Sequence, residues 1–253
     1  QLEYVLRPAK VPPRVLMMVP DEGGFSGQDM AKMVMIASWG YPVTPIPEDV
    51  SQASFDEALT RASVLYISQE LWTPNVVADL RRTVVGVVSE ELALADELGL
   101  SSDTYNSNDK KKIEILDNSH PITFDFATGD LEICSSSSEL LEIEGTLAGG
   151  ADVLAEKDGA SNDPVLLAIE AGGVLYGGSK AAGRRVQLPW GGQGFDFTLL
   201  TANGLKLMQR SIDWAAGSNE LTAVKITLQS GSDKESLVQA EARILNQPRI
   251  SGP

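Results

Sequence analysis

The amino-acid sequence predicts an α/β protein with a mainly parallel sheet, helices on both faces, an antiparallel extension and a C-terminal β-hairpin. In the first hundred residues, short apolar runs alternate with amphipathic stretches, which is typical of parallel strands joined by helices. From Ser101 the apolar runs become shorter and their connections more polar. After Glu220, apolar and polar residues alternate on both sides of a Ser-Gly-Ser-Asp turn, which indicates the hairpin.

The N-terminal half is predicted to begin with a strand at residues 14–19, an apolar run between two prolines. The next helix, residues 28–39, should end at Gly40 and pack one apolar face on the sheet. That face comprises Met30, Met33, Val34 and Ala37. Further strands are predicted at residues 42–46, 64–68 and 83–89, and helices at residues 54–62, with a capping box from Ser54, and 90–98, closed by Gly99.

The second half is predicted to add shorter strands and one long helix. The strands are placed at residues 112–116, 131–135, 140–143, 153–156, 164–171 and 173–177. The helix spans residues 199–216, and its apolar face comprises Leu200, Leu205, Met208, Ile212 and Trp214. The hairpin strands are residues 223–229 and 237–245. We place a domain boundary at Gly217, which gives an α/β domain at 1–217 and a hairpin extension at 218–253.

Composition and charge exclude several classes of function. The chain has 253 residues, and 20 Lys and Arg against 35 Asp and Glu give a formal net charge of −15. Such a surface is unsuited to nucleic acid or to an anionic membrane, because both require basic residues. A single Cys rules out an internal disulfide, and with a single His it cannot complete a His/Cys zinc site. We expect no metal and no cofactor.

The sequence favours an exported protein of the cell envelope or the extracellular space. It is acidic and rich in small polar residues, it has one Cys, and it contains no apolar run long enough to span a bilayer. The chain begins with Gln1 rather than Met, so we expect either that a leader was removed or that the chain was shortened.

Several motifs resemble those of a known superfamily. Arg14-Val-Leu-Met-Met-Val is followed by Trp39-Gly-Tyr, by Asn118-Ser-His-Pro-Ile-Thr and by Gly183-Arg-Arg-Val-Gln-Leu-Pro-Trp before the long helix. In this order they resemble the class I glutamine amidotransferase-like superfamily, and within it the ThuA-like branch. The resemblance covers residues 11–217 and implies a flavodoxin-like, doubly wound fold. The tail after residue 223 resembles the end of exported proteins that carry a pilin-type N-terminal helix.

The chain departs from that superfamily where the chemistry should be. The resemblance implies a nucleophilic Cys on a strained Gly-x-Cys-x-Gly turn after the fourth strand, but the chain there reads Ser89-Glu90-Glu91. A nucleophile elbow needs small neighbours so that its side chain is exposed. Cys134 lies inside a predicted strand, where a thiol usually packs as a small apolar residue. The resemblance therefore implies a scaffold without amidotransferase activity.

A small set of residues remains as candidates for chemistry or binding. His120 can act as an acid or base near neutral pH, or simply form a turn before Pro121. Ser89 and Glu91 are the other weak catalytic candidates, although a helix cap explains both. In open α/β sheets ligands bind beyond the carboxyl ends of the strands. We therefore expect a rim at that end, with candidate ligand-binding residues Asp21, Ser26, Glu90 and Arg184, and with Ser89 and His120 close to them.

Two other features are interpreted as turns. The glycine-rich stretches at residues 172–180 and 191–194 miss the register of phosphate- and dinucleotide-binding loops. The polar segments 101–109 and 158–163 offer oxygen ligands for Ca²⁺ but lack the spacing of an EF-hand loop.

Three hypotheses about function follow. The first is a non-catalytic, exported binding or structural module of a cell-surface or pilus-like protein. The alternative is a ThuA-like enzyme acting on a sugar or another small molecule, with His120 as acid or base and within hydrogen-bond reach of Glu90 or Glu91. The third is self-assembly, or binding of a protein partner, in which a hairpin strand joins a neighbour's sheet.

Overall fold

A computed structural model of the chain divides into two compact units, Pro12–Gly217 and the pair of segments Gln1–Val11 and Ser218–Pro253. The structure describes residues 2–6, 11–20, 25–69, 71, 80–103, 105–159, 162–192, 194–217, 223–230 and 237–245. The strands, in chain order, are β1 (Leu2–Leu6), β2 (Val15–Val19), β3 (Val43–Pro47), β4 (Val64–Ile67), β5 (Gly86–Ser89), β6 (Tyr105–Lys110), β7 (Lys112–Ile115), β8 (Gly129–Glu132), β9 (Ser138–Ile143), β10 (Ala151–Lys157), β11 (Pro164–Ile169), β12 (Arg185–Gln187), β13 (Ala223–Ser230) and β14 (Leu237–Leu245). The helices are α1 (Gly27–Ser38), α2 (Gln52–Leu59) and α3 (Ala202–Ala215).

The larger unit is a mixed α/β structure built on one large sheet. Nine of the described strands form this sheet, in the order β3-β2-β4-β5-β12-β11-β10-β7-β8. The strands from β3 to β12 run parallel, and those from β12 to β8 pair antiparallel. β6 and β9 form a separate antiparallel pair. The apolar runs β2, β4 and β5 are buried along their whole length, because both faces of the sheet are covered.

Helices and turns cover the two faces of the sheet. On one face, Ile36 of α1 and Leu207, Met208 and Ile212 of α3 belong to the same apolar core as Val15 of β2. On the other face, the core combines Phe55 of α2 with sheet residues and with the segment that follows β5. The sequence therefore predicted the α/β class and the antiparallel extension correctly.

Two predicted elements that follow β5 along the chain are wrong. The predicted helix 90–98 is reduced to a single 3₁₀ turn at Leu92–Leu94, followed by turns to Gly99. Glu90 continues the pairing of β5 with β4, since its N–H donates to the carbonyl of Ile67, and the Ser89 hydroxyl bonds to both the N–H and the carbonyl of Glu91, which closes a turn there. The predicted strand 173–177 is a glycine turn, and the buried strand lies instead at β12.

The two N-terminal helices begin and pack differently from the prediction. α2 begins two residues before Ser54, and its N-cap is Ser51, whose hydroxyl accepts the N–H of Ser54. α1 ends before Gly40, which has a φ of +82° as predicted, but its buried residues are Asp29, Lys32 and Ile36. Met30 and Val34, which were expected in the core, are 47% and 64% exposed.

The smaller unit is a three-stranded antiparallel sheet in the order β1-β13-β14. The predicted hairpin is present as β13 and β14. The sequence analysis had placed residues 2–6 with the α/β domain, whereas β1 pairs with β13 from Leu2↔Leu228 to Leu6↔Val224.

Candidate functional site

A buried polar cluster occupies the carboxyl ends of the parallel strands. Ser68 follows β4, Glu90 follows β5, and Trp190 lies just beyond β12, while α1 supplies two charged residues from above β2. We call this group the rim cluster, and its members are Asp29, Lys32, Tyr66, Ser68, Glu90 and Trp190. At this end of a parallel sheet side chains from several strands meet, which is why it is the usual place for a ligand.

Lys32 is the only cation in the rim cluster; it contacts Glu90 directly and is linked to Asp29 through the hydroxyl of Ser68. Its Nζ lies 2.5 Å from Oε2 of Glu90, and both side chains have no exposed surface. The same Nζ donates to the hydroxyl of Ser68 at 3.0 Å, and that hydroxyl donates to Oδ1 of Asp29 at 2.6 Å. A buried ion pair of this kind compensates charges that would otherwise be costly to remove from water.

The other carboxylate oxygen of Glu90 accepts two neutral donors. Trp190 Nε1 donates to Oε1 at 2.8 Å, and the Tyr66 hydroxyl donates to the same oxygen. Burial, together with the neighbouring Glu90, raises the pKa of Tyr66 well above its ordinary value, so the phenol stays protonated and remains a donor. Glu90 is thus held by a lysine, a phenol and an indole.

The loop after β12 closes the cluster. Gly191 has a φ of +146°, and a Cβ at this position would lie only 2.0 Å from the carbonyl oxygen of Glu90. The Trp190 ring stacks on Phe195 at 6.0 Å between centroids, and both rings are buried. The polar side chains of the rim cluster bond to one another and lie buried beside this loop.

Ser89 lies where the resemblance implies a nucleophile, and its side chain is also buried. Its hydroxyl donates to the carbonyl of Glu91 at 2.9 Å and accepts the N–H of Glu91 at 3.0 Å, and its side chain is fully buried. The carboxylate of Glu91 accepts the N–H groups of Leu71 and Ala93. The two residues therefore form a tight turn and not an exposed elbow.

His120 and Arg184 lie at the opposite end of the sheet. Arg184 precedes β12, and its guanidinium donates to the Glu170 carboxylate at 2.8 Å and to the carbonyl of Trp214 at 2.9 Å. His120 packs edge-on against the Trp214 ring at 4.9 Å. The expected rim that joins these residues to Glu90 is therefore wrong, because Arg184 precedes β12 whereas Glu90 follows its parallel neighbour β5.

The environment of His120 is that of a turn residue. Its Nδ1 accepts the N–H of Ile122 at 3.2 Å, and its carbonyl accepts the N–H groups of Thr123 and Phe124. Burial lowers the pKa of His120, and the carboxylates of Asp152, Glu170 and Asp117 offset this only in part. The structure does not bring His120 within hydrogen-bond reach of Glu90 or Glu91, which the enzyme hypothesis requires.

The remaining predicted residues have local roles or fall outside the described part. Ser26 is the N-cap of α1 and forms a capping box with Asp29. Cys134 lies just beyond β8 and is fully buried, which raises the pKa of its thiol to about 11. Asp21 is outside the described residues.

Arg185, the neighbour of Arg184, is a buried residue that was not among the predicted site residues. Its guanidinium is fully buried and donates to backbone carbonyls, including those of Thr83 at 2.8 Å and Arg184 at 2.9 Å. Burial lowers the pKa of Arg185 to about 10. Local sequence gave no signal for its burial, because in the alternating segment before Leu188 Arg185 lies on the face opposite Val186 and Leu188.

The loops considered for anions and cations are engaged within the chain. The N–H of Gly194 donates to the carboxylate of Glu139 at 2.7 Å, and Asp163 lies 3.0 Å from the ammonium group of Lys157. Among the described residues, no group of three or more His, Cys, Asp or Glu side chains is arranged to hold a metal ion. Two cavities of about 310 and 470 Å³, lined by Arg14 and Arg82 among others, lie toward the amino ends of the parallel strands.

No helix in the described part of the chain has the length and apolar character needed to cross a membrane. Neither a scan against protein-family models nor a search among curated proteins returns a match to this chain.

Proposed function

We propose that this chain is a non-catalytic binding or structural module of an exported cell-surface or pilus-like protein, built on an amidotransferase-like scaffold. The observation that carries the proposal is the closed carboxyl end of β5. Ser89 and Glu90 are fully buried, and Glu90 is neutralised by Lys32. A nucleophile must instead reach its substrate and have a base within hydrogen-bond distance.

The flavodoxin-like part of this proposal is supported by the order of the parallel strands. Numbered along the chain, β3-β2-β4-β5-β12 corresponds to the order 2-1-3-4-5. The amidotransferase resemblance implies a nucleophile after the fourth parallel strand along the chain, and Ser89 is the last residue of that strand, β5. We therefore interpret the rim cluster as internal packing at the position where the resemblance implies an active site.

The test is an activity assay on the purified chain and two variants. We expect no hydrolysis of glutamine or of simple nitrophenyl esters above the rate measured for Ser89→Ala and His120→Ala. Circular dichroism on the same samples checks that each variant is folded. Turnover by the wild type that disappears in either variant would contradict the proposal and favour the enzyme hypothesis.

We also propose that the smaller unit mediates assembly by strand addition. β1 and β14 are the outer strands of the described three-stranded sheet, and each pairs there with β13 on one side only. Unpaired N–H and C=O groups along an outer strand are the template that strand addition uses.

Deletion of residues 220–253 tests this second proposal. It should abolish assembly into long particles, followed by light scattering and electron microscopy, while the circular dichroism of the α/β unit persists. Long particles formed by the deleted chain would exclude the hairpin as the assembling element.

A further inference from the structure

Lys32 and Glu90 lie closer together, and in a different geometry, than an ion pair requires. Nζ of Lys32 is 2.5 Å from Oε2 of Glu90, and both side chains are fully buried. The contact lacks the angles of a hydrogen bond, and Oε2 accepts no hydrogen bond from any residue that the structure describes. The remaining contacts use other atoms, because Nζ donates to Ser68 while Oε1 accepts Tyr66 and Trp190. Glu90 could therefore lose Oε2 without breaking any of these hydrogen bonds.

The hydrogen bonds around the pair are those that an amide would make. An amide has one N–H and one carbonyl oxygen, and here Ser68 would accept the N–H while Tyr66 and Trp190 donate to the carbonyl. An amide would also remove two buried charges, whose transfer from water is costly. We propose that Lys32 and Glu90 react with each other to form an intramolecular amide bond, which cross-links α1 to the end of β5.

The reaction begins with a proton transfer, because an ammonium group has no lone pair. Lys32 gives one proton to Oε2 of Glu90 across the 2.5 Å contact. This converts the buried ion pair into an uncharged amine and an uncharged acid, the direction that removal from water favours. The lone pair of Nζ then forms a bond to Cδ, and the carbonyl electron pair moves to Oε1. Tyr66 and Trp190 already donate to Oε1 and stabilise its negative charge, as an oxyanion hole does.

Ser68 and Asp29 provide a path for the second proton of the amine. The Ser68 hydroxyl lies 3.0 Å from Nζ and 2.6 Å from Oδ1 of Asp29, so Asp29 acts as a base through this hydroxyl. When the carbonyl re-forms, the bond between Cδ and Oε2 breaks, and the proton returns through Ser68 to the departing oxygen. Oε2 leaves as water with the two protons that Nζ has lost. Asp29 ends unchanged, and the step consumes no oxidant, cofactor or second substrate.

A comparison with Lys157 shows what is particular to this pair. Nζ of Lys157 lies 2.8 Å from Glu142 and 3.0 Å from Asp163, and its side chain is 23% exposed. Hydrogen bonds to both carboxylates raise the pKa of Lys157, so its amine stays protonated and is not a nucleophile. Lys32 is instead shut away from water and held against a single carboxylate, which gives the reacting groups a high effective concentration.

The intact mass of the purified full chain tests the proposal. The wild type should be lighter by one water molecule than its sequence requires, and Lys32→Met should have its full sequence mass. The matched control is Lys157→Met, which removes the more exposed lysine of an acidic pair and should still show the loss of one water. After trypsin digestion, the wild-type peptide that contains Lys32 should be joined to the peptide that contains Glu90. A folded wild type with its full mass, or a loss that maps to other peptides, would overturn the proposal even if Lys32→Met does not fold.

Ser68→Ala tests the proton path separately from folding. We expect this variant to form the amide at least about tenfold more slowly, so that a fresh sample is a mixture and its linked fraction rises during incubation. Ser68→Thr keeps the hydroxyl and should be linked as fully as the wild type. Circular dichroism checks that both variants are folded. Complete linkage of fresh Ser68→Ala would refute the relay, and an unlinked Ser68→Thr that is folded would count against it equally. This inference does not depend on the proposed function, because the reaction occurs once in each chain and turns over no substrate.

Discussion

Lys32 shows how a single residue can be misinterpreted from sequence. Lys32 lies on the side of α1 opposite the predicted apolar face of Met30, Met33, Val34 and Ala37, but its ammonium group is fully buried against Glu90. The helical periodicity identified α1 correctly and selected the wrong face. A residue pattern gives the period of a helix, whereas the partners that make a buried charge acceptable come from distant strands. Ser68 and Glu90 are such partners, and local sequence does not reveal them.

Removing the Lys32 charge should destabilise the protein strongly. The variant Lys32→Met leaves Glu90 buried without a counter-charge, so we expect the free energy of unfolding to fall by about 3–5 kcal/mol. Chemical denaturation measures the change. Arg61→Met is the control, because Arg61 and Glu57 form a mostly exposed pair at 2.6 Å, and its loss should cost less than about 1 kcal/mol. Adding Glu90→Gln to Lys32→Met should restore part of the stability; no recovery would show that the charge is not the cause.

Glu97 should make stability depend on pH. Burial, together with a hydrogen bond to Asp96, raises its pKa from 4.5 to about 7 in the folded protein. Between these values the unfolded chain releases the proton while the folded chain retains it, so this residue lowers stability as the pH rises from 4.5 to 7. The variant Glu97→Gln should be more stable than the wild type at pH 8 and equal to it below pH 4.5. Thermal unfolding at both pH values measures this, and a pH-independent difference would contradict it.

At the scale of elements, the sequence analysis identified the strands with long apolar runs. It missed β12, the short strand at which the pairing of the sheet changes from parallel to antiparallel. β2, β4 and α3 were placed within a few residues of their observed positions. β12 has only three residues and contains a buried arginine, so neither its length nor its composition indicates a central strand. Its place follows from pairing with β5 and β11, which only the folded chain provides.

The contact between α3 and β5 depends on a glycine. A Cβ at Gly86 would lie 2.0 Å from the carbonyl oxygen of Ala215, so the end of α3 would have to move off the sheet. We expect Gly86→Ala to reduce the free energy of unfolding by at least about 2 kcal/mol, measured by denaturant titration. Gly27→Ala is the matched control, because no atom lies within 4 Å of a Cβ there and alanine favours a helix. A neutral Gly86→Ala would mean that the helix moves freely on the sheet.

For the whole molecule, the composition excluded several classes of functional site and identified none. The charge of −15 and the scarcity of Cys and His ruled out classes of site. They could not show that the carboxyl end of the sheet is closed, because closure depends on Trp190 and Gly191, about a hundred residues after Glu90. The separation of His120 from Glu90 likewise follows from the chain path and not from spacing in the sequence.

The position of β12 also has a consequence for how the chain folds. β5 and β12 are neighbours in the sheet, but the strands from β6 to β11 lie between them along the chain. Closing so long a loop directly is entropically unfavourable, whereas β10 ends at Lys157 and β11 begins close by in the chain, at Pro164. We expect β10 and β11 to form first, β12 to add to β11, and the assembled edge to dock on β5 last. Pulse-labelling hydrogen exchange should then show protected amides in β11 before those of β5, and the docking of two preformed halves would limit the folding rate.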